Sequence, residues 1–249
     1  MNFYAAMSIG NVLRLRPIAV EILEELTGGR YVNQLESTLS QFCKVEEISE
    51  EMLLEKLNHL GPSKIDKDWK GTSLYYLVDY LTEQHREFRE VDLPLIRELF
   101  SKKTKTPNLT GYLFRSIFQK YCAFEEELLW HITKEEDFLF PKILKTEAYL
   151  KYRDLLPDTT FRLSNLFGPT PAELPGEKLM HMLSIILNNI WDQLSLGPDA
   201  FLNSDIYSKL ETLKDKLVAH ENVETNVLFP LSIEIETALI AREDLNSRS

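Results

Sequence analysis

The chain has 249 residues, of which 44% are hydrophobic and 27% are charged, and its formal net charge is −11. This length allows one large domain, or a medium domain joined to a small one. The acidic balance disfavours nucleic acid and anionic lipid as partners, because phosphate binding requires clustered Lys and Arg. No run of about 18 apolar residues occurs, so we expect no membrane-spanning segment. The two distant cysteines, Cys43 and Cys122, predict no disulfide and favour a cytoplasmic setting.

Residues 1–63 predict a small helical domain. Apolar residues follow a helical spacing over residues 9–26, and two glycines come directly afterwards. Two further short helices are predicted over residues 35–42 and 51–60. The polar segment 63–70 is then expected to act as a linker to the rest of the chain.

Residues 72–240 predict an antiparallel four-helix bundle made of two related hairpins. Each helix has apolar residues at steps of three and four, and a connection rich in proline over residues 158–175 separates the two hairpins. Alternating strand patterns flanked by turn residues are weak everywhere. The sequence therefore predicts an all-α protein, with the bundle preceded by the small helical domain.

A duplicated motif lies on the second and fourth helices of this bundle. His131 and Glu135 recur as His220 and Glu224 at an offset of 89 residues, and Leu-Phe-Pro follows both pairs. A His and a Glu four positions apart share one helix face. Burying these groups is costly unless something pairs with them, and in a helical bundle a metal ion is the usual partner.

Each half of the bundle adds one histidine from its first helix. His85 lies on an apolar stripe, whereas His181 lies in a segment that is apolar nearly all round, so periodicity does not fix its direction. A lone histidine on an apolar stripe is usually a hydrogen-bonded core residue, but the duplication favours metal. Four imidazoles and two carboxylates suit two iron or manganese ions about 3.5–4 Å apart, and zinc accepts the same ligands.

These segments resemble the hemerythrin-like, iron-sulfur cluster repair di-iron family. The resemblance rests on the motifs Asp66-Lys67-Asp68-Trp69, Leu77-Val78-Asp79, His131 to Pro141 and His220 to Pro230. It implies a four-helix bundle behind a small helical domain, and restoration of clusters damaged by nitric oxide or peroxide. The implied metal ligands are His85, His131, Glu135, His181, His220 and Glu224. Glu135 and Glu224 would be the bridging carboxylates.

The chain departs from this family in two places. Lys105-Thr106-Pro107 stands where the family has a further histidine, so one metal would lack a protein ligand, bind more weakly, or keep an open position for water or a small gas. Val32-Asn33-Gln34-Leu35 stands where the family has a Cys-Cys-Gly-Gly turn, and Val and Asn cannot perform thiol chemistry.

Three hypotheses follow from the sequence. The first is a cytoplasmic, non-heme di-iron protein related to iron-sulfur cluster repair under nitrosative or oxidative stress. The second is a hemerythrin-like binder or sensor of dioxygen, nitric oxide or iron without turnover, and the third is a degenerate bundle without a physiological metal. Small gases or damaged iron-sulfur proteins are the expected partners, and a homodimer is compatible with the sequence. The residues leave enzyme status open.

Overall fold

A computed structural model describes residues 3–60, 72–105, 109–152, 175–194 and 200–246. Within these ranges every regular element is helical, and the nearest approach to a sheet is one isolated bridge between Ser8 and Thr38. The all-α prediction is therefore confirmed. The α-helices are α1 Ile9–Leu15, α2 Val20–Thr27, α3 Leu39–Val45, α4 Glu50–Asn58, α5 Leu74–Glu87, α6 Leu93–Thr104, α7 Leu109–Lys134, α8 Phe140–Tyr152, α9 Pro175–Leu194, α10 Ala200–Val223 and α11 Phe229–Asn246.

The prediction of a single helix over residues 9–26 is wrong. Two helices, α1 and α2, cover this region, with a short 3₁₀ turn at Pro17–Ala19 between them. Pro17 has no N–H to donate, and the residue before a proline is pushed out of the helical region; Arg16 has φ −146° and ψ 81°. The helix α2 ends as predicted at Gly28, whose φ of 59° is a left-handed conformation that favours glycine.

The next two helices begin at residues that cap them. The Thr38 hydroxyl accepts a hydrogen bond from the backbone N–H of Gln41, and the backbone N–H of Thr38 donates to Gln41 Oε1, which makes a complete capping box at the start of α3. Ser49 caps α4 in the same way through the backbone N–H of Met52. The helix predicted at 35–42 is present only from residue 39, where the Thr38 cap sets its start, and it runs to 45, whereas the helix predicted at 51–60 covers 50–58.

Three π-turns interrupt the long helices: Phe88–Asp92, Glu135–Leu139 and Glu224–Leu228. Each begins six residues before a proline, namely Pro94, Pro141 or Pro230. A proline inside a helix cannot donate to the carbonyl four residues back, and its ring clashes with that carbonyl. The preceding turn widens as a result, and the N–H of Leu93 donates to the oxygen of Phe88, five residues back.

One compact unit of the structure contains the described residues of 84–135 and 175–224. In it α6 packs on α7, α7 on α9, α9 on α10, and α10 on α6, which closes a ring of four helices. The helices bury a continuous apolar core that includes Phe100, Tyr121, Phe124, Leu183 and Leu210. This arrangement is the predicted four-helix bundle.

The other compact unit contains the described residues of 3–83, 136–152 and 225–246. In this unit α8 packs against α11. Arg16 and Asp79 form a buried ion pair with Nε and Oδ1 3.2 Å apart, and the same Asp79 oxygen accepts the backbone N–H of Ile18. Through these contacts, the segment that follows α1 is held against the helix α5. The limits of the two units differ from those of the predicted domains. The division into a domain at 1–63 and a domain at 72–240 therefore stays a prediction.

Some predicted features lie outside the described residues. They are the linker at 63–70, the greater part of the connection at 158–175, and Thr106 and Pro107. Among the helices that are described, none combines the length and the apolar character needed to cross a bilayer.

Candidate metal centre

Five of the six predicted ligands come together inside the bundle unit. His85 lies on α5, His131 near the end of α7 and His220 near the end of α10. Glu135 and Glu224 are the first residues of the two π-turns that follow α7 and α10. In the structure as described, two groups could hold a cation: His85 with Glu135 and His220, and His131 with Glu135 and Glu224. Glu135 belongs to both groups.

The separations within each group match those around a single cation. The ring nitrogens His85 Nε2 and His220 Nε2 are 3.1 Å apart, and His85 Nε2 lies 3.2 Å from Glu135 Oε2. His131 Nε2 lies 2.9 Å from the other oxygen of Glu135. Nitrogen and oxygen ligands about 2.0–2.2 Å from a metal lie roughly 3.0–3.5 Å from each other in octahedral or tetrahedral sets. The atoms therefore already sit at the spacing that a bound cation requires.

The five side chains are largely removed from solvent. His85 is fully buried, and His220, Glu135 and Glu224 are at most 5% exposed, whereas His131 keeps a 13% exposed side chain. Ionised carboxylates in an apolar interior are unfavourable without a compensating charge. Two buried carboxylates and three imidazoles in one cluster are thus a strained arrangement unless a cation joins them.

The hydrogen bonding of the cluster is incomplete. Among the described side chains, Glu135 Oε2 and Glu224 Oε1 are buried oxygens that accept no hydrogen bond. His85 Nε2 is close to the first of them and His220 Nε2 lies 3.5 Å from the second, but neither contact has hydrogen-bond geometry. Buried acceptors without partners are rare in folded proteins and call for an explanation such as an ion. The donor set and these two oxygens fit a cation.

Burial and close neighbours shift the pKa values of three groups in the cluster. Burial, and then the charge of His85, lower the pKa of His220 to about 3, so its ring is neutral at pH 7. Burial alone raises the pKa of Glu135, but the close imidazoles of His131 and His85 outweigh it and hold that pKa well below its usual range. Burial and the neighbouring charge of Glu135 raise the pKa of Glu224 well above its usual range. Neutral imidazoles and an ionised carboxylate are the forms that bind metals.

The π-turns place both carboxylates. His131 and Glu135 are four residues apart, as are His220 and Glu224, and in each pair the glutamate begins the widened turn. Widened turns of this kind are frequent at functional sites, because they redirect side chains out of the α-helical register. The sequence signal for the turns was the proline six residues after each glutamate.

The structure does not bring His181 to this cluster. Its side chain is exposed on α9, while Leu179, Leu183 and Ile186 of the same helix are buried. With about 100° of rotation per residue, His181 lies about 200° from both Leu179 and Leu183, which puts it on the opposite face. The expectation that this histidine joins the ligand set is therefore not met.

A small cavity borders the cluster. Its volume is about 10 Å³, room for about one water-sized molecule. Its walls combine the ligands His85, His131, His220 and Glu224 with apolar side chains, among them Phe88, Leu179 and Met180. The helix α9 thus contributes apolar wall to the site in place of a histidine.

Comparison with known proteins agrees with this geometry. Residues 76–155 match the model of the Hemerythrin HHE cation binding domain. The chain is 25% identical over 201 residues to the iron-sulfur cluster repair protein YtfE of Enterobacter sp. (strain 638), covering 79% of this chain and 83% of that protein. It is 24% identical, with the same coverage, to the proteins of that name from Escherichia coli O8 (strain IAI1) and Escherichia coli O157:H7.

The chain resembles the hemerythrin-like iron-sulfur cluster repair proteins at the distance of a divergent relative. Three of the five clustered ligands, His85, His131 and Glu135, lie within the segment that matches the cation-binding domain. The domain match indicates that the chain binds metal cations, and the donor groups make this cluster the candidate site. Sequence reasoning found the two His–Glu pairs through their repeat and His85 through its apolar stripe, but it missed Gln84, whose Oε1 lies 2.8 Å from His220 Nδ1.

Proposed function

We propose that this protein is a cytoplasmic, non-heme di-iron protein that acts in the repair of iron-sulfur clusters under nitrosative or oxidative stress. The observation that carries the proposal is the position of Glu135, whose two oxygens face different histidines. A carboxylate common to two donor groups is the arrangement expected for a pair of cations that share one bridge. Iron would be held by His85, His131 and His220 through Nε2 and by Glu135 and Glu224, and would supply redox chemistry there.

The chain's own residues prepare this chemistry in two ways. Burial lowers the pKa of His220, so its ring holds no net charge that would repel a cation, and the apolar walls formed by Phe88, Leu128 and Leu217 keep bulk water from the site. Glu224, whose pKa is raised, is the residue that would give up a proton when a cation arrives.

This chain has no thiol at the turn where the family carries a cysteine pair, and this absence favours chemistry centred on the metal. In this chain Val32 and Leu35 line an apolar cavity of about 240 Å³ together with Phe140 and Leu144. Both cysteines of the chain, Cys43 and Cys122, are free and occur elsewhere. We therefore assign repair to iron held in the bundle, without a thiol relay at this turn.

Iron analysis tests the proposal. Anaerobically purified protein loaded with ferrous iron is expected to hold two irons per chain. Glu135→Gln is expected to lose both, because the two groups share this side chain. Glu126→Gln, the same change at an exposed position on α7, serves as the control. Full iron retention in Glu135→Gln would contradict the role of Glu135 as a shared carboxylate.

Repair activity needs a separate assay. It is measured as the recovery of activity in an iron-sulfur dehydratase that nitric oxide has inactivated, after addition of the iron-loaded protein.

A second function, reversible binding or sensing of a diatomic gas, is favoured by the size of the cavity. Space for about one water-sized molecule beside these side chains excludes large substrates and favours a ligand as small as a diatomic gas. The ferrous protein would take up nitric oxide reversibly under this hypothesis, whereas a reductase would consume it and release nitrous oxide. The third hypothesis, a bundle without a metal, fits poorly with buried carboxylate oxygens that accept no hydrogen bond.

A further inference from the structure

The helix α5 and its π-turn carry a third copy of the pattern that places the metal ligands. His131 and His220 lie ten residues before their prolines, and Glu135 and Glu224 lie six residues before them. Counted back from Pro94 in the same way, the corresponding residues are Gln84 and Phe88. The copy on α5 thus places a carboxamide where the other two copies have an imidazole.

Gln84 contacts the ligand His220 on the side away from the cluster. Its Oε1 lies 2.8 Å from His220 Nδ1, while His220 Nε2 faces His85 Nε2 at 3.1 Å. A carboxamide oxygen only accepts hydrogen bonds, so Nδ1 of His220 must carry the proton. A neutral imidazole with its proton on Nδ1 has a lone pair on Nε2, and that is the nitrogen directed into the cluster.

Phe88 restrains the same ring from a second direction. Its ring lies 5.8 Å from that of His220 with the planes at 71°, an edge-to-face contact. Phe88 is 1% exposed, so it has little room to move. The ring of His220 is therefore held by an acceptor at one nitrogen and by an aromatic wall, and both groups come from the third copy of the pattern.

We propose that Gln84 is a positioning residue for His220, whose carboxamide fixes the tautomer and the orientation of the ring so that Nε2 offers its lone pair to the cation. The proposal rests on the proposed function in one respect, that the cluster binds a metal. Partners of this kind, which accept from the distal nitrogen of a ligand histidine, typically change metal affinity by about 10–100-fold when they are removed.

The test compares Gln84→Leu, which removes the acceptor and keeps the size, with Gln84→Glu, which keeps an acceptor. Gln119→Leu, at an exposed position of α7, is the matched control. The dissociation constant for ferrous iron, measured by anaerobic competition titration, is expected to rise about 10–100-fold in Gln84→Leu. It should stay within a few-fold of the parent in Gln84→Glu and in Gln119→Leu. Unchanged affinity in a folded Gln84→Leu protein would overturn the proposal, as would an equal loss in Gln84→Glu.

A second measurement needs neither metal nor a folded variant. Nitrogen NMR of the metal-free parent, with the His220 signals assigned by their absence in His220→Gln, is expected to show the proton on Nδ1. A proton on Nε2 would refute the role of Gln84 whatever the titrations give. If the parent binds no iron at all, the proposed function fails, while the tautomer result still decides the contact itself.

Discussion

Replacing Glu224 by glutamine should stabilise the metal-free protein and weaken the binding of the cation. The parent buries a carboxylate with one oxygen that accepts no hydrogen bond, next to the ionised Glu135. Leaving such a group unsatisfied costs about 1–3 kcal/mol. Glutamine has the same shape, carries no charge, and can donate to Glu135. We expect a gain of about 1–2 kcal/mol without metal, which corresponds to a rise in Tm of roughly 2–8 °C at this chain length.

The sign of the pH dependence follows from the raised pKa of Glu224. Below the ordinary glutamate pKa of 4.5 the carboxyl is protonated in both the folded and the unfolded state and costs little, whereas at higher pH the unfolded state releases the proton and the folded state must hold it or ionise the group beside Glu135. The stability advantage of Glu224→Gln should therefore grow as the pH rises above 4.5, and shrink toward acid.

The assay is thermal denaturation of both proteins, first with a chelator and then with ferrous iron under anaerobic conditions. A cation present at 100 times its dissociation constant stabilises the parent by about 2.7 kcal/mol, and the variant should lose most of this gain. The order of stability is therefore expected to reverse between the two conditions. Glu211→Gln, at an exposed position on α10, controls for the loss of a charge. A metal-free Glu224→Gln protein that is less stable than the parent would refute the reasoning.

Three further changes have expected outcomes. Asp79→Ala should destabilise the protein by about 3–5 kcal/mol in urea denaturation, because it removes the fully buried carboxylate that pairs with Arg16 and leaves that guanidinium with the more distant Glu83. The double change Arg16→Met with Asp79→Leu should cost clearly less, and equal losses would contradict the argument. Burial raises the pKa of Glu147, so Glu147→Gln should be more stable than the parent at pH 8, with the difference shrinking toward pH 4; a constant difference would exclude this cause. His181→Ala should leave the iron content unchanged, since this side chain is exposed, and a loss of iron would restore it to the ligand set.

The part of the site that was predictable from the sequence is the part that is repeated. The pairs His131 with Glu135 and His220 with Glu224 were found because equal spacing in two copies is improbable without a shared role. His85 was found because it interrupts an otherwise apolar stripe. For His181 the periodicity was uninformative, since the apolar residues of that segment surround the helix, and the structure turns this histidine outward.

Other features depended on chemistry that hydrophobic periodicity does not report. The break between α1 and α2 follows from Pro17, which the apolar pattern over residues 9–26 ignores. The contact of Gln84 with His220 joins residues 136 positions apart, and an amide on a helix surface gives no signal of its own. The helical class and the bundle, by contrast, follow from long amphipathic segments, which are the most dependable pattern in a sequence.

The π-turns also determine which changes of length the chain can accept. Each π-turn holds one residue more than an ordinary α-helical turn. The side chains after the turn are therefore shifted by about 100° around the helix axis from the positions that an uninterrupted α-helix would give them. Inserting or deleting a single residue between His220 and Pro230 would swing a carboxylate or a core side chain out of place, whereas surface connections tolerate such changes at little cost. The spacing from histidine to glutamate to proline is therefore expected to be a stricter mark of relationship than overall identity, and homologues that alter it should lack the proposed shared carboxylate.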